Sequence, residues 1–200
     1  MAGGKGERLG LGGVEKPLLV FRSRPLIEHV FAALNKSQIE RVVTVTSPRT
    51  PCTTRWAREA NIQVVRAPGQ GYIQDYRWAS KRLGLQGPVL IIAADLPLID
   101  HRLIDRIIES RAKAESSALG VYLPYEFCDE ANVSPDLAFE VDAKLLVPTG
   151  INIVDASHLD QLQQETMLVI RDESLLYNIN RRSDLKRLSK SERGRKRELE

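Results

Sequence analysis

Residues 89 to 97 read VLIIAADLP, a run of six apolar residues followed by Asp95 and a proline turn. Such a run predicts a strand that is buried on both faces, as in a parallel sheet. Two further strands are predicted at 41–46 and 62–65, and segments of helical period surround them at 25–36, 53–60, 72–83 and 100–114. This alternation predicts parallel crossovers and a three-layer α/β fold with a mainly parallel, partly mixed sheet.

The second half of the chain has a less regular pattern. Short apolar runs predict strands at 118–123, 144–147, 151–154 and 167–170. With 200 residues and 42% hydrophobic content, one domain is expected, and we place it at 1–185. Residues 186–200 form a basic tail, for which we predict a solvated helix end or disorder.

Composition restricts the protein class. Cys52 and Cys128 lie far apart without a metal-binding spacing, and no apolar run approaches the roughly 20 residues that span a bilayer. We therefore expect a soluble, cytoplasmic protein with no membrane partner. Residues 181–200 carry nine basic and four acidic residues, whereas the remainder carries 20 and 22, so the tail alone makes the chain basic.

The N-terminal stretch 2–17 reads AGGKGERLGLGGVEKP, with six glycines, two lysines and an arginine. Glycines let backbone N–H groups surround phosphate oxygens, and cationic side chains neutralise the charge, so the stretch predicts a triphosphate site. It lacks the GK[ST] ending of a Walker A loop and the spacing of a dinucleotide-binding loop. Such loops normally follow a strand, so either a strand is missing ahead of residue 2 or the loop is held in another way.

Several separated motifs together resemble a known family. They are 1–6 (MAGGKG), 13–18 (GVEKPL), 46–51 (TSPRTP), 71–73 (GYI), 147–152 (VPTGIN) and 177–180 (YNIN). The chain resembles Rossmann-like nucleotidyltransferases related to the molybdenum-cofactor guanylyltransferases and the sugar-phosphate nucleotidylyltransferases. Within that group it is most similar to the archaeal GTP:adenosylcobinamide-phosphate guanylyltransferases. One departure is Ser23, which stands in the turn after Lys16-Pro17 where the family usually has glycine.

The resemblance implies a guanylyl transfer from GTP to adenosylcobinamide phosphate, with release of pyrophosphate, as a step of cobalamin biosynthesis. It is also compatible with a homodimer. The choice of GTP over other triphosphates rests on the resemblance alone, because base selection depends on a few hydrogen bonds that composition does not locate.

Three cations and one carboxylate are the candidate catalytic machinery. Lys5, Arg8 and Lys16 are expected to bind the triphosphate, with Arg8 and Lys16 acting in catalysis. Asp95 follows a predicted strand at the edge where α/β sheets bind ligands, and we expect it to bind Mg²⁺ or another divalent cation. The structural alternatives are a solvated N-terminus for the cations and a helix cap for Asp95.

The remaining candidates are expected to bind the nucleotide: Ala2, Gly3, Gly4, Gly6, Thr46, Ser47, Gly71, Gly150 and Asn152. The stretch 148–152 is equally typical of a β-bulge, and 46–48 and 69–71 are also ordinary turns. Asp75, Asn178 and Asn180 are weaker candidates that we expect to cap or orient backbone.

Three other functions stay open. The first is a molybdopterin or sugar-phosphate nucleotidyltransferase of the same fold. The second is a nucleic-acid-binding or regulatory protein that uses the tail, although the tail lacks the aromatic residues typical of such binding, and we expect no nucleic-acid partner. The third is a family member that binds nucleotide without turnover.

Overall fold

A computed structural model describes residues 1–4, 14–179 and Asp184. Of the candidates, Lys5, Gly6, Arg8 and Asn180 lie outside the described residues, as does the basic tail at 186–200. The domain boundary at 185 therefore stays a prediction.

The described chain contains nine strands and five helices. In order they are β1 (Val20–Phe21), β2 (Arg24–Pro25), α1 (Leu26–Leu34), β3 (Val43–Thr46), α2 (Pro51–Glu59), β4 (Gln63–Arg66), α3 (Tyr72–Leu83), β5 (Pro88–Ile92), α4 (His101–Lys113), β6 (Ala118–Pro124), α5 (Tyr125–Glu130), β7 (Phe139–Val141), β8 (Lys144–Asp155) and β9 (Glu165–Val169). The α/β fold class is confirmed.

The strands form one five-stranded mixed sheet, a separate parallel pair and a two-stranded antiparallel hairpin of β1 and β2. In the larger sheet the order is β5-β8-β6-β9, with β7 paired to the first residues of β8. Strand β8 runs antiparallel to β5, β6 and β7, and β6 pairs with β9 in parallel. The strands β3 and β4 pair in parallel with each other.

The main core lies between the larger sheet and two helices. Leu34 of α1 and Ile104 and Ile107 of α4 pack with residues of β6 and β8 such as Leu119 and Ile151. Each of these side chains is less than 10% exposed, so their burial supplies much of the hydrophobic stabilisation. The carboxyl ends of β3 and β5 lie outside this core, and the candidate site lies at these ends.

One strand prediction was wrong. Separate strands were expected at 144–147 and 151–154, because Pro148 and Gly150 are poor strand residues. The structure has one continuous strand, β8, whose register against β6 shifts between Gly120 and Tyr122. Gly150 takes a positive φ of 78° there, so the proline and glycine form a bulge within the strand rather than a break.

A short hairpin explains the departure at Ser23. β1 and β2 pair antiparallel, and the two loop residues Arg22 and Ser23 have φ of 48° and 62°. Two positive φ angles in a two-residue loop are typical of a type I′ turn, which favours glycine. The turn therefore forms with Ser23 in the left-handed conformation that glycine would adopt at lower cost.

Candidate active site

The first two residues of the chain join the ends of β3 and β5. The Ala2 N–H donates to the Val45 carbonyl at 2.8 Å, and the Ala94 N–H donates to the Met1 carbonyl at 3.0 Å. The Met1 ammonium donates to the Ile92 carbonyl at 2.6 Å, and its burial lowers its pKa to about 6 although the Asp95 carboxylate opposes the shift. The glycine-rich stretch therefore leaves from the edge where open α/β sheets bind ligands.

Gly3 passes so close to Ser47 that a side chain would crowd it. The Ser47 hydroxyl donates to the Gly3 carbonyl at 2.7 Å, and a Cβ on Gly3 would lie 3.2 Å from the Ser47 Cβ. Ser47 is fully buried, so the structure places it as a support of the loop. Thr46 is also fully buried, and its hydroxyl accepts a hydrogen bond from Thr54 at 2.9 Å, which directs it into the core.

Lys16 and Asp95 form an ion pair at the mouth of the cleft. Lys16 begins a 3₁₀ turn, Lys16–Leu18, whose second residue is Pro17. Asp95 follows β5, as the sequence predicted. Both side chains are only about one-seventh exposed, at 15% and 14%. The ion pair brings together two of the predicted catalytic residues, which lie 79 positions apart in the sequence.

Glu15 fixes the backbone next to Lys16. Its carboxylate accepts hydrogen bonds from the Cys52 N–H, the Thr53 N–H and the Thr53 hydroxyl, each at 2.6 Å. Burial alone would raise the pKa of Glu15, but these donors outweigh it and hold the pKa below its usual value. Since Cys52 and Thr53 lie in the first turn of α2, Glu15 serves as a remote cap of that helix.

Two buried side-chain oxygens have no hydrogen-bond donor among the described residues. They are Oδ1 of Asp95 and Oδ1 of Asn178. The Ile179 N–H donates to the Asp95 carbonyl at 3.1 Å, but Asn178 lines a separate cavity with Pro148 and Thr149. A buried oxygen without a donor is costly, so Oδ1 of Asp95 marks a place in the cleft where a ligand or cation would be stabilised.

The cleft beside Asp95 has a volume of about 230 Å³. It unites Ala2, Gly3, Gly4, Lys16, Gly71 and Asp95 from the predicted set, and it adds Arg49, Gly69 and Tyr72. Arg49 is exposed and follows β3, so it supplies a cation at the rim. Arg49 lies within the 46–51 motif, but its role was not predicted, because a single arginine in a turn carries no distinctive pattern.

The loop 69–71 is shaped by Asp75. The Asp75 carboxylate accepts hydrogen bonds from the N–H groups of Gly69 at 2.9 Å and Gln70 at 3.1 Å. Gly69 and Gly71 take positive φ angles of 80° and 126°, which allows the tight path into α3. Asp75 is 6% exposed, so it orients backbone, as predicted.

Gly150 and Asn152 approach the cleft through Tyr72. The Asn152 amide donates to the Tyr72 hydroxyl at 3.1 Å, and that hydroxyl lies 3.4 Å from the Gly150 carbonyl, to which it donates. Burial of the hydroxyl raises the pKa of Tyr72 to about 12, although the Asn152 hydrogen bond opposes the shift. Tyr72 is therefore a neutral hydroxyl that separates Gly150 and Asn152 from the cleft.

Comparison with known proteins identifies the family. A family model described as the MobA-like NTP transferase domain matches residues 1–198. The chain belongs to the MobA-like NTP transferase family. This transferase is 36% identical, over 93% of its own length and 92% of the relative, to the adenosylcobinamide-phosphate guanylyltransferase of Methanocaldococcus jannaschii.

Two further comparisons agree with that assignment. The transferase is 28% identical to a molybdenum cofactor guanylyltransferase of Pseudomonas putida, over 60% of each chain. Its fold matches CMP:2-keto-3-deoxy-manno-octonic acid synthetase, solved in complex with CTP, with a TM-score of 0.65 at 11% identity over 89% of this chain and 92% of the other. The structural likeness at such low identity concerns the fold only.

The described residues form neither a membrane-spanning helix nor a cluster of metal-binding side chains. No described helix of the transferase is both long and apolar enough to cross a membrane. Within 1–4, 14–179 and Asp184, no three His, Cys, Asp or Glu side chains cluster as a metal-binding group.

Proposed function

We propose that this transferase moves GMP from GTP to adenosylcobinamide phosphate, which yields adenosylcobinamide-GDP and pyrophosphate in cobalamin biosynthesis. The observation that carries the proposal is the 36% identity to the Methanocaldococcus jannaschii enzyme of that specificity, which extends over nearly the full length of both chains. The likeness to the molybdenum cofactor guanylyltransferase covers only 60% of each chain.

The reaction requires little chemistry from the protein. A phosphate oxygen of the acceptor forms a bond to the α-phosphorus of GTP, and the bond from that phosphorus to the α,β-bridging oxygen breaks. The bonding pair leaves with pyrophosphate. Because the acceptor phosphate is already an anion at neutral pH, no general base is needed, and positioning and charge stabilisation dominate.

Both backbone groups and side chains of the cleft are proposed to position the substrate and stabilise its charge. Gly3 and Gly4 line the cleft where peptide N–H groups can approach phosphate oxygens. Lys16 is held at the mouth by Asp95 and is proposed to stabilise charge on the α-phosphate. Arg49 is proposed to bind the nucleotide at the rim. Lys5 and Arg8 keep the triphosphate-binding roles that the sequence predicts.

The carboxylate of Asp95 fits a divalent cation. Its Oδ1 is buried without a donor among the described residues, and Mg²⁺ prefers oxygen ligands, of which proteins often supply only one or two. When bound, Mg²⁺ would neutralise charge on phosphate oxygens during transfer. Asp95 would hold it, and Lys16 would keep Asp95 oriented.

Two finer proposals concern location and assembly. We propose that the transferase acts in the cytoplasm, where Cys52 and Cys128, both free thiols, would stay reduced. A homodimer remains a prediction from the family resemblance.

A pyrophosphate-release assay tests the proposed reaction. The full chain with Mg²⁺ and GTP should release pyrophosphate when adenosylcobinamide phosphate is present, and only at background level with molybdopterin or a sugar phosphate. The matched control replaces GTP by CTP, ATP or UTP and should give little product. Release with molybdopterin but not with adenosylcobinamide phosphate would contradict the proposed acceptor, and equal use of all four triphosphates would contradict guanylyl transfer.

A further inference from the structure

The Tyr72 hydroxyl lies at the cleft with a proton that is only weakly used. The Asn152 amide donates to the hydroxyl oxygen at 3.1 Å, so the single proton of that hydroxyl must point elsewhere. It points to the Gly150 carbonyl, but the oxygen–oxygen distance of 3.4 Å is much longer than the usual value of about 2.8 Å. Tyr72 therefore has a donor that a better acceptor can engage.

The Gly150 carbonyl does not depend on this hydrogen bond. It also accepts the Ala93 N–H at 3.2 Å, directly beyond the paired residues of β5 and β8. A carbonyl that keeps one donor is not left unsatisfied, so turning the Tyr72 proton away from Gly150 has little cost. Since an anionic phosphate oxygen forms a stronger hydrogen bond than a neutral carbonyl, a phosphate beside Tyr72 would replace Gly150 as the acceptor.

The Tyr72 hydroxyl also lies within electrostatic range of Asp95. Burial is the main reason that the pKa of Tyr72 rises to about 12, and the Tyr76 hydroxyl and the Asp95 carboxylate add to the rise, although the Asn152 hydrogen bond opposes it. At neutral pH the hydroxyl is thus protonated, and it can donate a hydrogen bond but cannot act as a base. A neutral donor therefore lies near the carboxylate for which we propose a divalent cation.

The backbone around Asp95 separates the two sides of the cleft. The Ala94 N–H donates to the Met1 carbonyl on one side, and the preceding N–H donates to Gly150 of β8 on the other. The glycine-rich stretch, which is proposed to hold the triphosphate, follows Met1, whereas the Tyr72 hydroxyl reaches Gly150. Displacement at phosphorus places the attacking and leaving oxygens roughly in line, on opposite sides of the phosphorus. Because the leaving pyrophosphate belongs to the glycine-rich stretch, the attacking phosphate is expected on the side of Tyr72.

We propose that the Tyr72 hydroxyl binds the phosphate of the acceptor and that Asn152 is its positioning residue, an inference that rests on the proposed transfer to a phosphorylated acceptor. When the acceptor enters, the Tyr72 proton stays on its oxygen and turns from Gly150 to a phosphate oxygen. The Asn152 amide holds the hydroxyl oxygen in place throughout, because its own hydrogen bond does not use the proton that turns.

Tyr72→Phe tests the proposal, because it removes the hydroxyl and keeps the ring. Pyrophosphate release is measured on the full chain with Mg²⁺ and GTP while adenosylcobinamide phosphate is varied. KM for the acceptor should rise about 10- to 100-fold, as for loss of a hydrogen bond to a charged group, whereas kcat should change less than about threefold. The Kd of GTP, measured by calorimetry without acceptor, should change less than about twofold, since GTP does not contact the hydroxyl.

Two further variants separate this role from a structural one. Tyr76→Phe is the matched control, because Tyr76 lies one turn further along α3 and its ring meets the Tyr72 ring edge-on at 5.8 Å. It should leave KM for the acceptor unchanged. Asn152→Leu removes the amide that holds the hydroxyl, so it should raise the same KM by itself but add nothing in the Tyr72→Phe background.

The outcomes distinguish this inference from the proposed function. If the unsubstituted enzyme releases no pyrophosphate with adenosylcobinamide phosphate, the proposed function is wrong, and the inference falls with it. If it does release pyrophosphate and Tyr72→Phe keeps the same KM for the acceptor, only the inference is overturned. A matching rise in the Kd of GTP would overturn it as well, because the hydroxyl would then bind the nucleotide. Independent, additive effects of Tyr72→Phe and Asn152→Leu would overturn the positioning role of Asn152.

Discussion

At the scale of single residues, Lys16 is the side chain whose role the geometry defines best. Its ammonium pairs with Asp95, and both side chains line the cleft that starts at Gly3 and Gly4. A cation fixed by a carboxylate keeps its position before the substrate arrives, so we propose that Lys16 stabilises developing charge without reorganising.

Replacing Lys16 by alanine is expected to lower kcat by about 10² to 10³. The reason is loss of a preorganised cation, so KM for GTP should change less than kcat. Steady-state pyrophosphate release measures both, and circular dichroism checks that the variant is folded. Lys36→Ala, at an exposed position in the turn after α1, is the matched control and should keep full activity. A Lys16→Ala enzyme with unchanged kcat would contradict the role of the cleft.

The sequence predicted those site residues that belong to a recognisable local sequence pattern. Lys16 and Asp95 were predictable because one ends a glycine-rich motif and the other ends an apolar strand. Arg49 and Tyr72 lie within the 46–51 and 71–73 motifs, but only the packing of β3 and α3 shows that the two residues line the cleft. Thr46 and Ser47 were predicted to bind nucleotide, but the structure places Thr46 in the core and uses Ser47 to support Gly3.

At the scale of elements, α2 and the turn at Lys16 depend on each other through Glu15. The helix begins at Pro51 and has no capping side chain at Thr50, so its first free N–H groups need an acceptor from elsewhere. The Glu15 carboxylate provides this acceptor, although it lies 37 positions before Cys52 and 38 positions before Thr53 in the sequence. This contact fixes the helix end and the backbone next to Lys16 together.

We expect Glu15→Gln to lower the free energy of unfolding at pH 7 by about 1 kcal/mol, as for loss of a helix cap. The pKa of Glu15 is lowered in the folded state, so its contribution is present above the unfolded-state pKa and is lost as the pH falls through the folded-state pKa. Urea unfolding between pH 3 and pH 7 should therefore show that the free energy of unfolding falls less with decreasing pH in the variant than in the unsubstituted protein.

The matched control for that prediction is Glu28→Gln. Glu28 faces Arg24 at 3.7 Å in an exposed pair, which should contribute little. If Glu15→Gln and Glu28→Gln show the same stability at each pH, Glu15 does not cap α2. A fall in kcat for Glu15→Gln alone would further show that the contact positions Lys16.

Element boundaries followed local signals closely where those signals were strong. Helix α3 spans the predicted residues 72–83, because Gly71 precedes it and Gly84 ends it in the left-handed conformation. Helix α5 and strand β7 were not predicted, since six and three residues are too short to show a period. The sequence predicted two strands in place of β8, because Pro148 and Gly150 have low strand propensity. In the structure, pairing of β8 with β5 on one side and β6 on the other outweighs that propensity.

At the scale of the whole molecule, strand order was the part that the sequence could not supply. Alternating strands and helices indicated an α/β fold, but nothing local shows that β8 inserts antiparallel between β5 and β6. That insertion gives the larger sheet its stability, because β8 pairs along both edges. It leaves β3 and β4 as a separate two-stranded unit.

We expect the two sheets to differ in stability within the folded protein. A two-stranded sheet is marginal by itself, and Met1 and Ala2 supply backbone hydrogen bonds that link the ends of β3 and β5. Amide exchange of the unextended chain should therefore be at least about tenfold faster in β3 and β4 than in β6 and β8, because local opening of the smaller unit leaves the main core intact. Mass spectrometry of peptides from 43–46, 63–66, 118–124 and 144–155 measures the difference. Equal protection of all four segments would contradict this prediction and would mean that packing by α2 and α3 holds the smaller sheet as firmly as strand pairing holds the larger.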